Sequence, residues 1–166
     1  PLAWVGCLSC YNNGDLVGKW LDAEQASEKC EAGLNCKRCG GEEFDVFDTE
    51  NIKHPGRYYS PWDFVGDAKA LGAAANLGIP RVAAEEFASY LGESLEDVDW
   101  DQQMYCGEFD DVEAFGWSLL EDDPDYNGLN VALARYIDVE AYATDMLIND
   151  YVSFHVGSSL FVFTSQ

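Results

Sequence analysis

Two Cys-x-x-Cys pairs, Cys7-Leu8-Ser9-Cys10 and Cys36-Lys37-Arg38-Cys39, come nearest in this chain to a spacing built for chemistry. Four thiolates can close a tetrahedral zinc site, and Lys37 and Arg38 would help keep the second pair ionised. Two features weigh against it. The 25 residues between the pairs exceed the usual run of about 15–20. Cys7 also ends an apolar strand-like run over residues 2–8, whose alternation does not by itself aim Cys7 and Cys10 at one point. The expectation is therefore no metal ligand and no cofactor, with Cys7 a buried strand residue. Cys30 and Cys106 read as small hydrophobes.

Other constellations are weaker. Asp123-Pro124-Asp125-Tyr126-Asn127-Gly128 matches the first six positions of an EF-hand loop, but the twelfth, where a bidentate Glu belongs, is Ala134. It reads as an acidic turn. Gly14-Asp15-Leu16-Val17-Gly18-Lys19-Trp20 has one residue too few between its glycines for a phosphate loop, and Trp20 stands where Ser or Thr must hold magnesium. His54 and His155 are far apart in sequence, and His155 falls in an expected strand as a packed residue. Carboxylates are so dense that no pair stands out as an acid–base couple. No catalytic residue is assigned, and the chain reads as a non-enzyme.

The carboxylates themselves are unevenly placed. Of 31 acids, 19 lie after Arg81, where Arg135 is the only base; the first 81 residues carry 12 acids and eight bases, and the whole chain has a net charge of −22. Such a chain repels phosphate backbones and anionic lipid, so no nucleic acid or membrane is expected as a direct partner. The fitting partner is a basic protein surface. The acids fall in clusters: Glu85 and Glu86; Glu93, Glu96, Asp97, Asp99 and Asp101; Glu108, Asp110, Asp111 and Glu113; then Glu121, Asp122, Asp123 and Asp125. At helical spacing, Glu93, Glu96, Asp97 and Asp101 would stack about 5–6 Å apart on one face. Duplex DNA displays one negative charge per about 1.7 Å of axis, so rows of carboxylates on a rigid body can imitate it.

The elements that must carry these residues read as an α+β chain in three segments. Residues 1–60 are mixed: a strand over 2–8, a helix from Ala23 capped by Asp22 and stopped at Gly33, and a strand over 44–47. Residues 61–103 are helical. Ser60-Pro61-Trp62-Asp63 starts a helix to about Leu77, Pro80 starts another that Gly92 ends, and Ser94 starts a third. They suggest a small helical bundle. Residues 104–166 are mixed again: a strand over 104–109, a helix over 112–121, a helix from Val139 capped by Asp138, and a closing hairpin turning at Gly157. Aromatic content of 14% and hydrophobic content of 48% rule out an acidic disordered tail. No apolar run approaches the roughly 18 residues of a membrane span, and the start lacks the basic n-region of a secretory signal. The expected compartment is the cytoplasm, where cysteines stay reduced or bind metal.

Three stretches resemble the ArdA antirestriction proteins. Tyr11-Asn12-Asn13-Gly14-Asp15-Leu16-Val17-Gly18-Lys19-Trp20 is similar to the family's Tyr-Asn-x-Gly-x-Leu-x-Gly-x-Trp start. Glu42-Glu43-Phe44-Asp45-Val46-Phe47-Asp48 resembles its second-strand motif, with Phe47 where His is usual. Leu119-Leu120-Glu121 and residues 136–146 resemble its C-terminal signature, with Val139 in place of an aromatic and Thr144 in place of Arg. The resemblance implies an elongated, curved, three-domain protein that dimerises through its C-terminal domain. It implies that the dimer mimics bent DNA in the groove of type I restriction-modification enzymes and so protects mobile genetic elements. A zinc-stabilised acidic adaptor for a basic partner is the alternative.

Overall fold

The structure, a computed structural model, describes residues 1–100 and 105–165. The chain divides into two compact units, Pro1–Trp100 and Asp101–Gln166. Each holds a three-stranded antiparallel sheet.

In the first unit β1 (Leu2–Cys7) is the central strand, between β2 (Gly18–Asp22) and β3 (Phe44–Glu50). Ala3, Val5 and Cys7 alternate into the core, as a half-buried strand requires. The strand stops at Cys7 because Leu8 opens a short helix, α1 (Leu8–Asn12). Asp22 then caps α2 (Ala23–Glu31), its carboxylate accepting the Gln25 amide at 2.8 Å. The start of α3 (Pro61–Asn76) is a full capping box: Ser60 accepts the Asp63 amide, and Asp63 accepts the Ser60 amide in return. Phe64, Val65, Leu71 and Ala74 bury one face of α3, which packs on α2 and on the sheet. Next, α4 (Arg81–Leu91) runs to Gly92, whose φ of 73° ends it in a left-handed cap.

The second unit runs β4 (Tyr105–Phe109), α5 (Val112–Glu121), α6 (Pro124–Asn127), α7 (Val131–Ala134), α8 (Val139–Asn149), β5 (Tyr151–Val156) and β6 (Ser159–Thr164). The last strand is the middle one, in the order β4-β6-β5. Leu160 and Val162 of β6 meet Phe115 and Ala143 in the core, with Phe109, Val112, Leu119, Leu147 and Tyr151 around them. The Phe115 ring stands edge-on to Phe109 and Tyr151, centroids 5.2 and 5.1 Å away.

Several expectations are corrected. The run from Ser94 forms only a 3₁₀ turn, Leu95–Asp97, because Val98 is already extended. Glu93, Glu96 and Asp97 therefore do not share a helical face. The edge strand β2 was not expected, since Gly18-Lys19-Trp20 is exposed and lacks apolar alternation; α6 and α7 were not expected either. Helices α3 and α4 pack into the first unit and do not form a bundle of their own, so the expected boundary after residue 60 falls inside one compact unit. The expected boundary after residue 103 and the start of the strand at Met104 lie outside the described residues. Cys106 and His155 are exposed on β4 and β5, not buried. Among the described residues, no helix is long and apolar enough to cross a membrane.

The approach of α5 to α8 depends on Gly116. A Cβ there would stand 2.8 Å from the Val139 carbonyl oxygen and 2.9 Å from the Ala143 Cβ. Gly116→Ala should destabilise the protein by about 1–3 kcal/mol, because backbone must move to admit the methyl group. At Gly72, mid-helix in α3 with open space around it, the same change should stabilise by about 0.5–1 kcal/mol. Urea unfolding of both variants checks the opposite signs.

Candidate functional site

The carboxylates of the two units are held differently. In the first unit several are matched locally. Arg81 Nη1 lies 2.9 and 2.8 Å from the two Glu85 oxygens, and the Lys53 amide donates to Glu85 at 2.8 Å. Glu85 is 8% exposed, so its charge is spent inside the fold and not displayed. The next residue of α4, Glu86, reaches Lys53 Nζ at 3.3 Å, and Asp15 pairs with Arg38 at 2.8 Å. A cleft of about 660 Å³ gathers Glu85, Glu93, Glu96 and Asp97 with Asp63 and Asp67, but Lys53, His54 and Arg57 line it too. It is a mixed-charge surface. Asp99 is exposed nearby in sequence, and Asp101 lies outside the described residues.

Asp67 is the acid that sequence reasoning missed. It sits on α3, 8% exposed, and accepts the Tyr59 hydroxyl at 2.7 Å and the Glu96 amide at 3.0 Å. Burial pushes its carboxyl above the usual range, and the Tyr59 and Glu96 hydrogen bonds pull it partly back. The only signal in sequence was an Asp on the apolar side of a helix.

In the second unit the described acids have no such charged partners. The unit carries 13 acids and one base, and no ion pair occurs among its described residues. The base, Arg135, stacks 4.9 Å from the Tyr136 ring centroid. Glu108, Asp110, Asp111, Glu113, Glu121, Asp122 and Asp125 are exposed, and Asp123 is half-buried. Several meet hydrogen-bond donors that carry no charge. Asp111 caps α5 through the Ala114 amide, and Asp123 caps α6 through the Asp125 and Tyr126 amides. The Trp117 indole donates to Glu113 and the Ser159 hydroxyl to Glu108. The reading of 123–128 as an acidic turn agrees with this cap, which occupies the Asp123 carboxylate.

The four cysteines of the two pairs come together. Cys7, Cys10, Cys36 and Cys39 place their sulfurs within 4.8 Å of one another. The expectation that the strand end would not aim Cys7 and Cys10 at one point fails because α1 turns the chain helically there. The Cys39 and Arg38 backbone amides hold the Cys36 thiol down to about 6. The Cys39 thiol and burial push Cys10 up, and burial does the same to Cys7.

In comparison with known proteins, the family model for Antirestriction protein (ArdA) matches residues 3–159. No match is found among the curated proteins.

The Tyr59–Asp67 bond makes a pH-dependent prediction. Tyr59→Phe should cost about 1–3 kcal/mol near neutral pH by leaving a buried carboxylate oxygen without its donor. That hydrogen bond favours the charged carboxylate. The loss should therefore be full above the raised folded pKa of Asp67 and shrink as pH falls through it. Unfolding free energies of wild type and variant across that range check the sign.

Proposed function

Because the chain belongs to the ArdA antirestriction family, we propose that it inhibits type I restriction-modification enzymes by lying in the groove those enzymes use for DNA. The observation that supports this reading is the second unit: 13 acids, one base, and no ion pair among its described residues. A surface of carboxylates without counter-charges meets the Lys and Arg that normally hold phosphates, and opposite charge speeds the encounter. Glu108, Asp110, Asp111, Glu113, Glu121, Asp122, Asp123 and Asp125 form the core of this surface. On the first unit, Glu93, Glu96, Asp97 and Asp99 would contribute in their own right, Asp101 is counted with them from the sequence, and Glu86 would add less because Lys53 faces it. The family match favours this reading over a zinc-stabilised adaptor.

The working form is a homodimer joined through the second unit. Val131, Leu133, Tyr136 and Ile148 are 60–86% exposed there, and apolar side chains left in water mark an association surface. Light scattering should give twice the chain mass, and Val131→Glu with Leu133→Glu should give the monomer.

The decisive measurement is inhibition of DNA cleavage by a type I enzyme. The triple variant Glu121→Gln, Asp122→Asn and Asp125→Asn leaves the capping Asp111 and Asp123 in place. It should weaken inhibition about tenfold, whereas each single change should cost about threefold or less, since the field is distributed. Added salt should weaken the complex as it screens exposed charge. Full inhibition by the triple variant, with its thermal midpoint unchanged, would remove this cluster from the mimic surface.

A further inference from the structure

We propose that Cys7, Cys10, Cys36 and Cys39 bind a single zinc ion as a structural tetrathiolate centre. Three sulfur separations are close: Cys7 to Cys39 and Cys10 to Cys36 at 3.6 Å, and Cys10 to Cys39 at 3.3 Å. A disulfide needs about 2.05 Å, whereas the edge of a zinc tetrahedron with Zn–S bonds of about 2.3 Å is about 3.8 Å. The sulfurs already stand near the corners of such a tetrahedron.

The backbone around each pair fits the same role. Cys7 caps α1 and Cys10 lies three residues on, which puts both sulfurs on one side of a helical turn. Cys36-Lys37-Arg38-Cys39-Gly40-Gly41 folds back on itself. The Cys36 amide donates to the Gly41 carbonyl at 2.8 Å and the Gly40 amide to the Cys36 carbonyl at 2.7 Å. The Gly41 amide also points at the Cys39 sulfur, 3.4 Å away. The Arg38–Asp15 ion pair ties this knuckle to the segment after α1. Val17 and Phe44 pack against the three buried sulfurs, while Cys39 is exposed.

The knuckle also lies where the fold needs an anchor. Residues 32–43, between α2 and β3, contain no helix or strand, and Cys36 is the one buried residue among them. So small an apolar contribution does not hold a 12-residue loop. Zinc would release the remaining thiol protons to solvent and fix the loop to β1 and α1. Four protein ligands leave no open coordination position, so the centre is structural and not catalytic. Its net charge of about −2 has Lys37 as a neighbouring cation in the loop, Arg38 being paired with Asp15.

The test uses the full chain, purified under reducing conditions without chelator. Elemental analysis should find a single zinc per chain, and cobalt exchanged for it should show the absorption of a tetrahedral tetrathiolate. Trypsin gives a readout independent of folding of any variant, because Lys37 and Arg38 lie inside the loop. Chelation should raise cleavage there about tenfold or more, and added zinc should reverse it. Cys36→Ser with Cys39→Ser should abolish zinc binding, while Cys106→Ser, in the other unit, should retain it. Wild type without zinc after reconstitution, iron in its place, zinc kept by the double variant, or loop cleavage indifferent to metal would each overturn the proposal.

Discussion

Like-charge repulsion is the constraint to which the second unit is built. Thirteen acids and one base share 66 residues, and self-repulsion on that scale works against compactness. What opposes it is an apolar centre containing no charged group: Phe115, Ala143, Leu160 and Val162, closed by aromatic rings from β4 and β5. The middle strand β6 is buried at four successive residues, Leu160 to Val162 and Phe163. Close packing of α5 on α8 at Gly116 adds dispersion contacts where no electrostatic attraction is available.

The first unit meets a milder version of the problem by different means. Arg81 matches Glu85, and Lys53 serves both Glu85 and Glu86. Tyr59 and the Glu96 amide hold Asp67 inside, linking α3 to the turn after α4. Here the polar groups join elements, so losing one partner leaves a buried carboxylate unsatisfied. The phenyl ring of Phe47 lies against Trp4 and Tyr11. It fills that place with apolar contact and brings no titratable group to it.

Local rules made most of the framework legible in sequence. The Ser60–Asp63 box, the Asp22 and Asp138 caps, the Gly92 stop and the hairpin at Gly157 each depend on residues within a few positions of one another, and each forms. What stayed hidden depends on distant partners or on competition between signals. Strand β2 exists because β1 offers it an edge, not because its own residues alternate. Glu85 turns inward because Arg81 and Lys53 are there to receive it. The acids after Gly92 lose their helical row because the turn begun at Ser94 ends at Val98, which is already extended. The cysteines converge only because a helical turn replaces the last residue of an expected strand. Of the acidic surface, the sequence disclosed the composition, and the structure disclosed which carboxylates face solvent.

The way the second unit steadies its acids bears on what they can do. Asp111 and Glu113 lie at the start of α5, and Asp138 and Glu140 at the start of α8. Helix N-termini present unpaired amides and the positive end of the dipole, each favourable to an anion by about 0.3–1 kcal/mol. Lysines placed beside these carboxylates would relieve the repulsion as well, but would cancel the field outside the molecule. Backbone amides relieve it without adding a unit of charge. The unit thus retains its net charge of −12 while holding individual carboxylates in fixed orientations. A surface proposed to stand in for phosphates needs both properties together, and capping supplies both where ion pairing would supply only the second.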